Sequence, residues 1–425
     1  MIETRKATPA ESIEALQSFD PFDPKQTQTQ WPFFREIRRH SPISRPGDFV
    51  FVSRYEDGLE VLRTPKLFSS GQGFRAPGVV VPLEDKLVGE LDPPTHRPIR
   101  RLLSSTLLPA TVGHAETFTR EMAQKAFEGL KTAGGGDLVN ELTLRLPTQV
   151  TVHVLGLPVE DSRQIAGWAN ELLHSEWVAT NRTPRGEGIL GAFPDYARYI
   201  DQQVALRRQS SAPPSDLLGE LVAKHVFDAP VSDRQIRALV SNLLLGGIST
   251  STSLLGNLFH YLLRHPADHR VLREDPARVP AAVEESLRLR PPVLYVVRTC
   301  TEETEISGFS IHAGERVIVS LASANRDDKI YPESDRFRLD RESPKPHLSF
   351  SAGPHLCVGA GLARMVGRVV TEVFVDLFAE DEVRLDDGFS FEPTPVFLEF
   401  GPRRLPVVFS KPGDRGSHEP LAQKR

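Results

Sequence analysis

The sequence predicts a mainly α-helical protein with small β-sheets, an α-rich body carrying a β-rich annex. Three observations lead there. Helical periodicity dominates from residue 95 to about 379. One segment within it, between Ser232 and Pro266, is apolar almost all round at its middle. Strand-like alternation is confined to residues 49–53, 305–320 and 382–409.

No Gly/Ser-rich or strongly charged linker divides the 425 residues. One domain over 1–425 is therefore expected, with polar, frayed ends at about 1–20 and 412–425. Hydrophobic residues make up 39% of the chain, enough for a sizeable core at this length. A net charge of −5 gives nucleic acid nothing to bind. The opening MIETRKATPAESIEAL has no apolar leader run, and no uninterrupted apolar stretch reaches the roughly 18 residues of a membrane span. The expectation is a cytoplasmic monomer without a membrane or nucleic-acid partner. The two cysteines, Cys300 and Cys357, fit no zinc spacing. A disulfide framework is not expected from so few thiols.

Taken in order, DFVFVS at 48–53 alternates as a short strand. Residues 69–90 are rich in Gly and Pro with little periodicity, and a loop that long reads as a lid over a pocket. Loops at 132–137, 180–191 and 209–215 punctuate the helices, the second being a further cover. GFSIHAGERVIVS at 308–320 predicts a hairpin turning at Ala313-Gly314.

The central helix has defined ends. Ser232 and Gln235 form a capping box, and Pro266 stops the run. Thirty-odd residues would span roughly 50 Å. Gly246 and Gly247 cost about 1 kcal/mol each relative to Ala in its middle. Such a cost points to a close backbone approach or a local widening for a ligand. The competing reading is a helix crossing, with the hydroxyls of residues 249–253 bonded back to the preceding turn.

Glu285 and Arg288 lie three apart on one face of a short helix ending before Pro291. An isolated pair of this kind is usually an exposed surface contact. Ala281, Ala282 and Val283 favour burial instead, and Arg341 is placed to close a network around it.

HLSFSAGPHLCVGAGLAR spans 347–364. Cys357 follows a Gly/Pro-rich loop and precedes a strongly helical run. A helix N-terminus favours the thiolate, the form that binds iron, and Gly353 and Gly359 would let backbone approach a flat ligand. Three other readings compete. A lone cysteine is most often a small buried hydrophobe, and His355 could serve as the base of a nucleophile. Gly359-Ala360-Gly361 is a fragment of a nucleotide loop, weak because no strand enters it and residue 364 is Arg.

This segment resembles the haem-binding loop of the cytochromes P450, F-G-x-G-x-H-x-C-x-G. Phe350, Gly353, His355, Cys357 and Gly359 match, with Ser351 in place of the first glycine. Glu285, Arg288 and Arg341 match the family's E-x-x-R and its later arginine. Gly246, Gly247 and Thr250 resemble the oxygen-activating helix, but Ser249 stands where an acid is expected. DPPTHRPIRR resembles the bacterial D-P-P-x-H-x-x-x-R segment. The resemblance implies the P450 fold and haem b, with Cys357 as iron ligand. It implies His96, Arg100, Arg298 and His355 at the propionates, and Phe350, Gly246 and Gly247 against the ring. Thr250 and Ser249 would carry the catalytic proton traffic.

The implied reaction places one oxygen atom from O2 into a small apolar or aromatic substrate, by hydroxylation or O-dealkylation. Electrons would pass from NAD(P)H through a separate ferredoxin or flavodoxin-like partner, docking on Arg97, Arg101, Arg364 and Arg368. The expected pocket comprises Val80 with its neighbours Val79 and Val81, Leu245, Ile248, Val293, Leu294, Val297, Val396 and Phe397, joined by Ser249 and Val296. The rival readings are a haem sensor or carrier without catalysis and a thiolate-haem enzyme working without external reductant.

Overall fold

Ser232 opens the longest helical run. Its hydroxyl accepts the Gln235 N–H at 3.2 Å, and the Gln235 side chain accepts the Ser232 N–H at 3.1 Å. The expected single helix is divided at Ile248 (φ −86°, ψ −69°) into Asp233–Gly247 and Ser249–Arg264. In this computed structural model, residues 20, 23, 30–107, 109–211, 216–342, 345–395 and 398–409 are described. The ends expected at about 1–20 and 412–425 fall almost wholly outside the described residues, as do positions 212–215 of the third loop.

The principal helices are α1 (Tyr55–Arg63), α2 (His96–Ser104), α3 (Pro109–Ala133), α4 (Arg145–Leu155), α5 (Ser162–His174), α6 (Asp233–Gly247), α7 (Ser249–Arg264), α8 (Val279–Leu289) and α9 (Ala360–Leu377). Helix α9 packs along α3 and α8. Phe127, Phe259, Phe374 and Phe378 interlock there, with the Phe259 and Phe374 rings 4.9 Å apart. Each fully buried aromatic of this kind contributes about 1.5–3 kcal/mol. The main core runs from Val88 to Val407 and includes α6 and α7. Although broken by Gly, Ser and Thr, Asp233–Arg264 is long and apolar enough to cross a membrane. In its most apolar stretch 61% is buried inside the protein, as in a core helix.

The annex is a five-stranded sheet in the order β1 (Ile43–Ser44), β2 (Phe49–Val52), β8 (Arg316–Ser320), β5 (Tyr295–Cys300) and β3 (Phe68–Ser69). Its β2–β8 pair is parallel and the others antiparallel. The hairpin expected at Ala313-Gly314 does not form. Strand β7 (Phe309–Ile311) turns back on β6 (Thr304–Ile306), and β8 joins the large sheet. The turn is Ser307-Gly308, both at positive φ (48° and 81°), the geometry of a tight antiparallel turn. A second sheet joins β4 (Gly135–Asp137), β9 (Val383–Leu385) and β10 (Pro406–Phe409), with β10 in the middle.

Candidate active site

Cys357 is reached by a loop whose shape is fixed from both sides. Its N–H donates to the Phe350 carbonyl at 2.8 Å, and the Arg364 guanidinium lies 4.5 Å from the Phe350 ring centroid. Gly353 has φ +67°, and a Cβ there would lie 2.5 Å from the Leu62 carbonyl. That glycine is therefore required by its packing on α1. Gly359 is freer: its Cβ would sit 4.0 Å from the Cys357 sulfur.

The cysteine lies deep in the protein, yet its side chain opens into a cavity of about 480 Å³. Burial pushes its thiol up, opposed by the Gly359 N–H and by Arg100 and Arg364. Helix α9 begins only at Ala360, so a single N–H reaches the sulfur.

Beside the cysteine loop, basic groups gather. Arg100, Arg298 and His355 line the cavity, and the His96 ring lies 4.2 Å from that of His355. Burial, with Arg298, His96 and Arg100 close by, pushes His355 down to about 3. Burial likewise lowers Arg298 to about 10, with Asp92 acting against the shift. The Nε2 atoms of His96 and His355 are buried without a hydrogen-bond partner. Arg298 donates to the carbonyl of adjacent Val297 at 2.8 Å, and Arg100 to the Leu356 carbonyl. Two arginines and two unpartnered imidazoles match a ligand carrying carboxylates, and an open sulfur matches a metal. Haem offers both, so the residues fit it.

The break between α6 and α7 forms another part of the cavity wall. Gly246 lines the cavity and no atom lies within 4 Å of a Cβ placed on it. Gly247 also lines the cavity, but it does so against α4, where a Cβ would lie 3.0 Å from Thr151 Oγ1. Both glycines thus border the cavity, and Gly247 also serves the close approach of α4. The Thr250 hydroxyl donates to the Gly246 carbonyl at 2.5 Å. The Ser249 hydroxyl donates to Glu399 Oε1 at 2.7 Å and lies 3.4 Å from the Leu245 carbonyl.

Of the expected pocket residues, Leu245, Val293, Val296 and Val297 line the cavity. Val80 does not; it is 86% exposed. Ile248 and Leu294 are also corrections. Ile248 turns into the main core, and Leu294 into a cluster with Phe34, Phe51 and Tyr295. Val396 and Phe397 lie outside the described residues.

Three features were missed by sequence reasoning. Arg75 and Glu90 line the cavity as a buried ion pair, Nε to Oε1 2.6 Å, with the Arg75 guanidinium 4.4 Å from the Trp177 ring centroid. Asp85 is clasped by Arg234 at the start of α6, at 2.6 and 2.7 Å. These contacts fasten the expected lid at 69–90. The third is Glu399, whose partner lies 150 residues away and which no local pattern marks.

Glu285 and Arg288 form the expected buried network. Arg288 binds both carboxylate oxygens at 2.7 and 2.9 Å, and Arg341 Nε reaches both at 3.0 Å. The remaining guanidinium donors bind carbonyls of Asn325, Ser334, Arg336, Pro332 and Glu333. Burial would raise Glu285, but the two arginines and the Arg338 N–H hold it below the usual carboxylate range. In the expected docking patch, Arg364 is paired with Glu284, and Arg368 with Glu116 and Glu372. Arg97 and Arg101 remain exposed on α2.

A cysteine open to an apolar cavity, with a basic cradle beside it and a hydroxyl-bearing helix break in its wall, defines a haem-thiolate class of site. The chain belongs to the cytochrome P450 family: the profile described as Cytochrome P450 matches residues 44–395. It is 34% identical over 375 residues to the erythromycin C-12 hydroxylase of Saccharopolyspora erythraea, covering 88% of this chain and 92% of that one. It is 30% identical over 372 residues to the vitamin D(3) 25-hydroxylase of Pseudonocardia autotrophica, covering 85% and 89%. A solved structure of a mutant of P450 EryK in complex with erythromycin B superposes with a TM-score of 0.81. The identity is 31%, over 93% of this chain and all of that one. The protein is a P450 monooxygenase that hydroxylates organic substrates.

Proposed function

We propose that this monooxygenase places one oxygen atom from O2 into a small, largely apolar organic molecule, by hydroxylation or O-dealkylation. The observation carrying this reading is that Cys357 and Thr250 line one cavity whose other walls include Leu245, Val293, Val296 and Val297. Haem b, when bound, supplies the oxygen chemistry. Cys357 Sγ would hold its iron, and the strong donor character of a thiolate would suit oxygen activation. His96, Arg100, Arg298 and His355 would hold its carboxylates, and Phe350 backs the cysteine loop.

Thr250 Oγ1 keeps its proton directed at the Gly246 carbonyl, which leaves its lone pairs to accept from water or substrate in the cavity. The aliphatic walls exclude water and hold the substrate by burial. The names of two relatives, an erythromycin C-12 hydroxylase and a vitamin D(3) 25-hydroxylase, support hydroxylation of an organic substrate. Electrons come from NAD(P)H through a separate ferredoxin or flavodoxin-like protein, with Arg97 and Arg101 as contact points. The protein works as a cytoplasmic monomer, one domain over its length.

The test is a screen of small organic compounds for a spectral change in the haem-loaded protein, followed by turnover of the hits with a surrogate ferredoxin and its reductase. Reductant-dependent oxygenated product is expected. Binding without product across the hits would favour the sensor reading, and turnover without reductant would favour a rearranging enzyme.

A further inference from the structure

Three glutamates are buried among the described residues: Glu90, Glu285 and Glu399. Glu90 is clamped by Arg75, and Glu285 by Arg288 and Arg341. Glu399 is different. It is 3% exposed, and its side-chain hydrogen bond is to the uncharged hydroxyl of Ser249. Burial pushes its carboxyl above the usual carboxylate range, against the Ser249 hydrogen bond and the charge of His174.

A buried acid without a cation is costly, and proteins rarely keep one without use. Glu399 cannot escape easily, because the backbone on either side is pinned. Leu294 N–H donates to the Leu398 carbonyl at 2.8 Å and Phe400 N–H to the Pro292 carbonyl at 2.9 Å, which sets Glu399 beside Val293. It stands in the cavity wall among Leu245, Val293, Val296 and Leu398. The other charged groups of that wall are accounted for. Arg75 and Glu90 satisfy each other, while Arg100 and Arg298 belong to the histidine cluster beside Cys357.

We propose that Glu399 anchors a basic nitrogen, so that the substrate is an apolar molecule bearing one amine, bound as its ammonium. The carboxylate pairs with the cation, and the hydrocarbon body lies along the aliphatic wall. Ser249 fixes Oε1 and so orients the carboxylate. A second acid at position 249 would stand at hydrogen-bond distance from the first and repel it. This assignment rests on reading the cavity as the substrate pocket.

The experiment uses the haem-loaded protein and two probes, phenylbutyltrimethylammonium and its all-carbon isostere with a tert-butyl group in place of the cation. The quaternary nitrogen has no lone pair, so it cannot ligate iron. Affinities are read by calorimetry in the native protein and in Glu399→Gln. The native protein should prefer the cation by about tenfold or more, the scale of a desolvated charge-assisted contact. Glu399→Gln, which keeps the shape and a hydrogen bond to Ser249, should lose that preference while binding the neutral probe unchanged. That unchanged affinity also shows the variant folded. Equal affinity of the native protein for both probes, or a preference that survives Glu399→Gln, overturns the anchor. Either result in a sample whose spectrum shows thiolate ligation leaves the monooxygenase reading standing, so the two failures are distinguishable.

Discussion

Ser351 has φ 61° and ψ −165°, a backbone conformation that only glycine adopts without strain. Its Oγ is also buried and unpartnered. The position is the one where the family's loop carries its first glycine, so the departure noted in the sequence falls on a strained residue. Ser351→Gly should stabilise the haem-loaded protein by about 1–3 kcal/mol, the usual cost of such a conformation. Denaturant unfolding measures it, and an unchanged or lower midpoint would contradict the account. Cys357 and its matches were legible because the loop's residues are neighbours in sequence. Glu399 was not, because what makes it special is a partner on another element and a cavity that no residue pattern encodes.

Among the elements, the break at Ile248 matters most for the site. Adjacent glycines there face different surroundings, and opposite effects follow. In the haem-free protein Gly246→Ala meets no protein atom of another element within 4 Å and removes backbone freedom from the unfolded chain, so it should stabilise that form by about 0.5–1 kcal/mol. Gly247→Val drives a branched side chain against Thr151 and should destabilise by about 1–3 kcal/mol through overpacking. Equal effects of the two substitutions on the unfolding midpoint would refute the close approach of α4 at Gly247 alone. The capping box, a local signal, gave the start of the run correctly. Its division did not show, since the apolar periodicity continues through it. The misplaced hairpin has a similar cause: Ala313-Gly314 and Ser307-Gly308 both read as turns. Pairing of β8 with β2 and β5, from far along the chain, decided between them.

Across the whole molecule, the Glu285 network joins α8 to the segment at 325–341 and stands close to the cysteine loop. Asn325 supports that loop directly, its side chain accepting the Leu348 N–H at 2.6 Å and donating to Ser349 at 2.7 Å. Glu285 has a folded-state pKa below its ordinary 4.5, so its contribution is complete above that pH and is lost as pH falls through the lowered value. Glu285→Gln leaves two buried guanidiniums uncompensated. It should cost about 3–5 kcal/mol at neutral pH and flatten the acid side of the stability profile. A variant with the native profile below pH 4.5 would show that the network contributes no acid sensitivity. The helix-dominated architecture was legible in the distribution of periodicities. The fastening of the lid by Arg75 on Trp177 and by Asp85 on Arg234 was not, because contacts between distant segments leave no periodic trace.

The account turns on the sulfur of Cys357 as the ligand of a haem iron. The reduced carbon-monoxide difference spectrum of the purified native protein and of Cys357→Ala tests it most directly. The native protein should give the band of a thiolate-ligated haem, and the variant should lose it. A native protein that takes up no haem, or a variant with the native band, would contradict the assignment.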